Sequence, residues 1–394
     1  MFAHGILKIV YSPLKAFTEI IEKPKYAGPI LIMILCVFAN TAFGYVLMTK
    51  TYIDQTMPHA QDLDEWTENC TLWISNIGIP KCSVAHVNGV YYGNRSLDFT
   101  IVNGSQIWMR LNTSDPIDCS DPEGFKTLTF RAKWNSTNQA KPNATVYMYS
   151  VLQTDYFYTE SPVTLTEADK NVWEKIQVPL GSDSMIWKAV GANAHWNNIN
   201  SLELIFTWPS SSNVTLLIDG LFLHGIFKPA IEVAGEYLLD YPLTALMQFI
   251  LQWVILGGSL FIFSRMFGVK AVWKVFLIIA GFVLITLFVQ MVLAAAVSAA
   301  LPELHYSLEA LGGIEGESDE ALRHVSEQSE SLFAFLTYIE IAMGAWTFML
   351  CAIAIYVLSE FSWMKSLAIT APACLVYYLI VSGELIRLIG LATS

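Results

Sequence analysis

Charged side chains stand inside long apolar runs of this 394-residue chain. Glu340 lies within "LFAFLTYIEIAMGAW", and Glu384 and Arg387 lie within "SLAITAPACLVYYLIVSGELIRLIG". In hydrocarbon such groups are costly unless paired, so each marks a candidate site. Glu384 and Arg387, spaced i,i+3, share a helix face and can pair. At 1.5 Å per residue, Glu340 lies about 12 Å and Glu384 about 9 Å from the outer ends of their runs. Gln290 and Gln252 come to about 15 Å and 13 Å by the same rule. The five side chains form an expected intramembrane polar cluster at similar depth. It is either an interhelical polar clamp or an outward-facing pocket for a proton, a cation or a lipid head group. In the second reading Glu340 titrates, its pKa raised by burial.

Other chemistry is sparse. The sequence holds no His-Glu-x-x-His, no Gly-x-Ser-x-Gly, no P-loop and no Gly-x-Gly-x-x-Gly before a helix. No catalytic set is assigned, and a non-enzyme is expected. The net charge of −12 excludes a basic nucleic-acid face. Of the six cysteines, Cys36, Cys351 and Cys374 lie in apolar runs. Cys70, Cys82 and Cys119 lie in the polar middle, where at most one disulfide forms; Cys70–Cys82 is the shorter closure, and the pairing stays open. Seven asparagines begin Asn-x-Ser/Thr acceptor triplets: Asn69, Asn94, Asn103, Asn112, Asn135, Asn143 and Asn213. All fall in one segment, which reads either as glycosylated or as an Asn/Ser/Thr-rich surface, and in both cases as exposed.

Five stretches are long and apolar enough to cross a bilayer. They run over about 27–48, 243–264, 275–300, 332–358 and 366–390, after an amphipathic stretch at 1–26. Charged residues are only 14% of the chain, as in a membrane protein. Lys8, Lys15, Lys23 and Lys25 precede the first span, Arg265, Lys270 and Lys274 follow the second, and Lys365 follows the fourth. The positive-inside rule then puts the N-terminus in the cytoplasm and the C-terminus outside. The insert 49–242 and the loop 301–331 face outward, and spans two to five fill 243–394. That loop carries eight acidic residues and one Arg and reads as solvated helix surface.

Within the insert, apolar and polar residues alternate. Leu128, Phe130, Ala132 and Trp134 share one face of "TLTFRAKW", and Leu202, Leu204, Phe206 and Trp208 one face of "SLELIFTW". At least seven such strands, separated by turn-rich stretches, predict a β-sandwich or barrel. The ending "WEKIQVPL…WNNINSLELIFTWPSSSNVTLLIDGLFLHG" resembles the closing half of jelly-roll modules of the carbohydrate-binding and galactose-binding-like type. That resemblance implies a structural calcium held partly by Asp219; the alternative is a turn hydrogen bond. Sugar binding by exposed aromatics singles out Trp187 and Trp196 in the loop "GSDSMIWKAVGANAHWNNIN", either as a glycan rim or as packing under that loop.

The start, "SPLKAFTEIIEKPKYAGPILIMIL", resembles the entry to Yip1-type five-span membrane domains, through Pro13, Pro24 and Pro29 with Phe17 and Ile21 on the apolar side. The chain departs from that pattern by its insert. The expected whole is an α + β membrane protein: a five-helix transmembrane bundle with an extracytoplasmic jelly roll between spans one and two. Its expected role is membrane-anchored recognition or scaffolding, with membrane lipid around the bundle and glycan or an envelope or membrane protein at the sandwich. The alternative is a transporter or lipid-handling protein using the Glu/Arg cluster.

Overall fold

The computed structural model describes residues 2–138, 140–159, 163–164, 172–233, 235, 238 and 240–381. Two compact units divide them. One gathers Met1–Thr51, Pro229–Leu304 and the chain from Gln328; the other gathers Tyr52–Lys228 and His305–Glu327.

The first unit is helical. Its helices are α1 (Phe2–Tyr11), α2 (Pro13–Glu22), α3 (Ala27–Lys50), α4 (Asp240–Met266), α5 (Trp273–Val283), α6 (Ile285–Ser298), α7 (Glu317–Ser359, from Gln328 onward) and α8 (Trp363–Val381). Pro13 opens α2, where its missing N–H is no loss. Phe17 of α2 and Ile9 of α1 are buried in the same core as Ile32 of α3 and Ile279 of α5, and Lys8 pairs with Glu19 across the two short helices. Five helical stretches are long and apolar enough to cross a membrane: Ala27–Lys50, Asp240–Met266, Trp273–Ser298, Leu332–Ser359 and Trp363–Val381. They agree with the five runs expected from sequence. Small residues let them approach: a Cβ on Gly281 would lie 2.5 Å from the Pro29 side chain and 2.7 Å from Trp253 Nε1.

The second unit is built on a sheet of twelve strands. They are β1 (Thr51–Met57), β2 (Trp73–Ser75), β3 (Lys81–Ser83), β4 (Ser96–Ile117), β5 (Thr127–Ser136), β6 (Asn143–Val151), β7 (Asp155–Thr159), β8 (Val163–Thr164), β9 (Glu174–Pro179), β10 (Trp187–Val190), β11 (Ile199–Pro229) and β12 (Leu304–Tyr306). The long strands β4 and β11 run antiparallel. Their ladder breaks where Thr207 pairs Gln106 and Ser212 next pairs Gly104, beside Asn103 with a left-handed φ of 53°. On one side of the break, β11 residues 201–207 also pair β6; on the other, 214–224 pair β5. One ribbon thus serves two layers, β2-β4-β11-β6-β7-β10 and β3-β4-β11-β5-β9, the second extended from β11 by β1 and β12. Between them lies the core, with Phe99, Phe130, Phe206 and Trp208 fully enclosed. The alternation in β5 and β11 enters it as the sequence predicts. Cys70 and Cys82 are disulfide-bonded, and Cys119 is free and buried.

The other face of β5 departs from expectation. Thr129 and Arg131 alternate with the core residues, yet they are 1% and 3% exposed. Residues 305–327 cover them. Leu308 joins Val87, Tyr92 and Phe222 in a second, smaller core. Arg131 Nη2 donates to Glu317 Oε2 at 2.6 Å, and its guanidinium carbon lies 4.6 Å from the Tyr92 ring centre. Lys175 Nζ and Gln177 Nε2 both donate to Glu309 Oε1, at 2.6 and 3.1 Å. The Val90 N–H donates to Gly312 O at 2.7 Å. This part of the acidic segment is therefore a strap on the sandwich, because buried cations on β5 and β9 need anionic partners. Only its later residues, such as Glu320 and Arg323, have the solvated surface expected.

Glu317→Ala should leave Arg131 buried without its anion and destabilise the sandwich by about 3 kcal/mol, read by urea titration of the full chain in detergent. Burial alone would raise the Glu309 carboxyl, but the Lys175 ammonium brings it down to about 2. Its contribution is complete above the ordinary glutamate range and is lost as pH falls through about 2. Glu309→Gln should flatten the loss of stability on that acid limb.

Candidate functional site

On the face of β6 and β7 turned away from the core, four tyrosines stand together. Tyr147 stands opposite Tyr158, and Tyr149 opposite Tyr156. Their ring centres are 5.8 and 5.2 Å apart across the strands. Along β6, the Tyr147 and Tyr149 rings lie 6.1 Å apart at 13°. The next strands continue the row: Glu203 of β11 is opposite Tyr147, and Arg110 of β4 is opposite Glu203. Arg110 Nε donates to Glu203 Oε2 at 2.6 Å. Its guanidinium lies over Tyr149 and Trp108, 5.4 and 5.6 Å from their centres. On the far edge, exposed Lys188 of β10 is opposite Tyr158. Strands about 4.8 Å apart make β4 to β7 a platform roughly 15 Å across.

Pleating makes this platform. Ala144, Val146 and Met148 point into the core, so Tyr147 and Tyr149 must point away. Burial, then the Glu203 charge, pushes the Tyr149 phenol up to about 12. The phenol stays protonated and can donate at neutral pH. The ion pair holds Arg110 and Glu203 in one geometry; Glu203 and Tyr149 are buried, 6% and 7% exposed, so Trp108, Arg110, Tyr147, Tyr156 and Tyr158, all half-buried, form the accessible part of the platform. Such a surface suits a flat ligand with one apolar face and a rim of hydroxyls.

Residue type and loop position in the sequence point to Trp187 and Trp196 and not to these tyrosines. The signal was present in "TVYMYSV" and "DYFYT", where Tyr recurs at period two opposite core residues. Trp187, expected in a loop, opens strand β10 instead, and its indole N–H donates to Pro179 O at 2.6 Å. Trp196 is 8% exposed and stacks on Phe157 at 4.0 Å. It is a core residue first. The two indoles meet edge to face at 5.1 Å and border a cavity of about 360 Å³ with Ser182, Ser184 and His195.

Asp219 is fully buried beside Asp64, which the sequence reading did not select. The Val87 N–H donates to Asp219 Oδ2 at 2.6 Å, and the Gly220 N–H to Asp219 Oδ1 at 2.8 Å. Asp64 accepts from the Gly93 N–H at 2.9 Å and from Thr67 Oγ1 at 2.6 Å. Leu63 and Asp64 both hold left-handed backbone, φ 49° and 37°, which turns the carboxylate inward. Calcium takes six to eight oxygen ligands. Here two carboxylates and one hydroxyl converge, N–H groups point at the same oxygens, and among the described residues no three His, Cys, Asp or Glu side chains gather around a metal position. The arrangement falls short of a calcium shell. It suits two carboxyl groups sharing a proton. Burial, then the Asp219 charge, pushes Asp64 up to about 8.

A Thr-His-Asp relay also exists: His224 Nε2 is 2.8 Å from Thr129 Oγ1, and Nδ1 is 2.9 Å from Asp54 Oδ2. The Leu308 N–H donates to Asp54 as well. With Thr129 enclosed, no substrate carbonyl reaches its hydroxyl, and the relay ties β1, β5, β11 and the strap together.

The expected intramembrane cluster does not assemble among the described residues. Gln252 is buried and accepts from Tyr377 Oη at 2.9 Å. Gln290 is half-buried, Glu340 is exposed, and Glu384 and Arg387 lie outside the described residues. All seven triplet asparagines, Asn69, Asn94, Asn103, Asn112, Asn135, Asn143 and Asn213, are exposed.

No family model matches the chain, and no curated protein matches it. Solved structures similar to part of the chain include carbohydrate-binding modules, a β-1,2-glucanase and agarases. One, from a study of promiscuous specificity in modules of the β-sandwich superfamily, is 12% identical with a TM-score of 0.28; the match covers 40% of this chain and 58% of that one. A family 11 module from Clostridium thermocellum in complex with a β-1,3-1,4-mixed-linked tetrasaccharide is 14% identical, with coverage of 43% and 94% and a TM-score of 0.27. A family 28 module specific for non-crystalline cellulose is 12% identical, with coverage of 39% and 88% and a TM-score of 0.28. At these values the sandwich assignment rests on the strand pairing above.

For the acid pair, a raised carboxyl pKa stabilises the fold at low pH, and that stability is lost as pH rises through about 8. The sandwich melting temperature should therefore fall as pH rises from the ordinary aspartate value of 3.8 to about 8 and level off above it, and Asp64→Asn should flatten that slope. Calcium added to chelator-treated protein should leave melting unchanged; a rise that Asp64→Asn abolishes would assign the pair to the cation.

Proposed function

We propose that this chain is a membrane-anchored recognition protein whose sandwich binds glycan on the tyrosine platform. The observation that carries this reading is the row Trp108, Arg110, Glu203, Tyr147 and Tyr158 on one sheet face, with Tyr149 and Tyr156 beside it. A pyranose ring has an apolar C–H face for the phenol rings and equatorial hydroxyls for the Arg110–Glu203 pair. The five apolar helices anchor the sandwich in lipid. Their resemblance to Yip1-type domains supports a second task, docking other membrane subunits. Lysines before the first span support a cytoplasmic N-terminus and an outward sandwich, and the seven exposed triplet asparagines support glycosylation there.

Binding without turnover fits the platform's charges. Glycoside hydrolysis uses two carboxyl groups flanking the scissile bond. Among the described platform residues Glu203 is the one acid, and its carboxylate is engaged by Arg110. The cavity beside Trp187 and Trp196 is a second contact for the same ligand class, since it offers an indole edge with two serine hydroxyls and an imidazole.

The test is calorimetric titration of full-length protein in detergent with soluble β-linked oligosaccharides. Saturable binding is expected, and Tyr147→Ala or Trp108→Ala should weaken it by about tenfold or more, the loss of a central aromatic contact. Trp196→Ala should instead lower unfolding stability by about 3 kcal/mol or more, as for a large core truncation. Absence of saturable binding, with capture of one membrane protein through the same face, would make the sandwich an assembly module.

A further inference from the structure

Three carboxamides meet midway along two of the candidate spans. Asn40 stands on α3, and Gln248 and Gln252 stand one turn apart on α4. With Cys36, Leu287 and Met291 they border a notch of about 40 Å³. Tyr377 Oη donates to Gln252 Oε1, which leaves the Gln252 amide N–H groups facing other partners. Asn40 and Gln248 hold no side-chain hydrogen bond to a described residue.

In hydrocarbon this is unfavourable. A buried amide without a partner loses a few kcal/mol relative to water, by the usual transfer scales. Lipid tails offer neither donor nor acceptor. A water needs about 10–15 Å³ measured in this way, so the notch has room for about three. A carboxamide presents donors and acceptors together, and water matches both. No acidic side chain lines the notch, so nothing there favours a bare cation over a neutral partner.

We propose that this notch is a hydration site inside the spans, with water as its resident ligand and small neutral molecules bearing hydroxyl or carbonyl oxygen as the class it admits. It keeps Gln252 of the expected polar cluster and sets it beside Asn40 of α3 and Gln248 of α4, with Leu287 and Met291 of α6, instead of beside Glu340. It uses the spanning character of α3 and α4 and is independent of glycan binding, so either idea can fail alone.

Cys36 is a native reporter: it borders the notch and is 6% exposed, its thiol 4.0 Å from Leu284 O, while Cys351 is fully enclosed. The experiment follows S–H to S–D exchange by infrared spectroscopy after full-length protein in phosphatidylcholine vesicles is moved into D2O. The bands are identified by difference with Cys36→Ala and Cys351→Ala. The Cys36 band should exchange about tenfold or more faster than that of Cys351, as expected for an open against a protected site. Gln248→Leu, at an exposed position, should slow Cys36 to the Cys351 rate. Equal rates in the unmodified protein overturn the proposal, and so does fast exchange that survives Gln248→Leu. Should that variant fail to fold, the comparison of Cys36 with Cys351 in the unmodified protein decides alone.

Discussion

The antiparallel pairing of β4 with β11 is the constraint on which the sandwich depends. Because side chains alternate with period two, that ladder fixes which residues enter the core and which face away. A slip of one residue would turn Arg110 and Glu203 inward and expose Met109 and Leu204. Since the same two strands continue through both layers, the choice made at Leu202–Phe206 is transmitted to Leu216–Ile218 across two register shifts, at Thr207/Ser212 and Ser212/Val214. The flat row of tyrosines is the external record of a core pattern.

Much of this was legible in the sequence. Runs of apolar residues predict five helices, and five long apolar helices occur among the described residues, since length and composition alone decide whether a helix suits a bilayer. Alternation in "TLTFRAKW" and "SLELIFTW" identified core strands because burial on one face leaves a period-two trace. Less legible was anything that depends on a partner distant in sequence. Arg131 and Thr129 look like a solvated face until Glu317 and Leu308, nearly two hundred residues away, are brought onto them. Asp64 carries no local mark, since its role comes from a left-handed turn and from Asp219 on the last long strand. Trp187 and Trp196 drew notice by residue type, while Tyr147 and its neighbours needed knowledge of which strands adjoin. Conversely, depth along a helix says nothing of azimuth, and so Glu340 and Gln252 share a depth without sharing a neighbour.

Polar groups in this protein are handled in two ways. In the sandwich they are satisfied in cis by charge and backbone: Arg131 by Glu317, Lys175 by Glu309, Asp54 by His224, Gly225 and Leu308. Each link crosses between pieces of chain that are remote in sequence, which makes the outer layer of the sandwich cooperative. In the helices, Gln252 has Tyr377, while Asn40 and Gln248 turn to a notch. Surface loops can rearrange to bring partners, whereas helices packed through glycines such as Gly281 leave little freedom to do so.

The strap has a consequence for the order of events during synthesis. Residues 52–228 leave the ribosome first, and His305–Glu327 emerge only after the whole of Pro229–Leu304. At typical elongation rates that delay is on the order of ten seconds. For that interval Arg131 and Lys175 lack Glu317 and Glu309, and Phe222 lacks Leu308, although every strand from β1 to β11 is already available to pair. The nascent sandwich thus passes through a stage with its inner core formed and one outer face bare. Completing that face waits on the translation of two later spans.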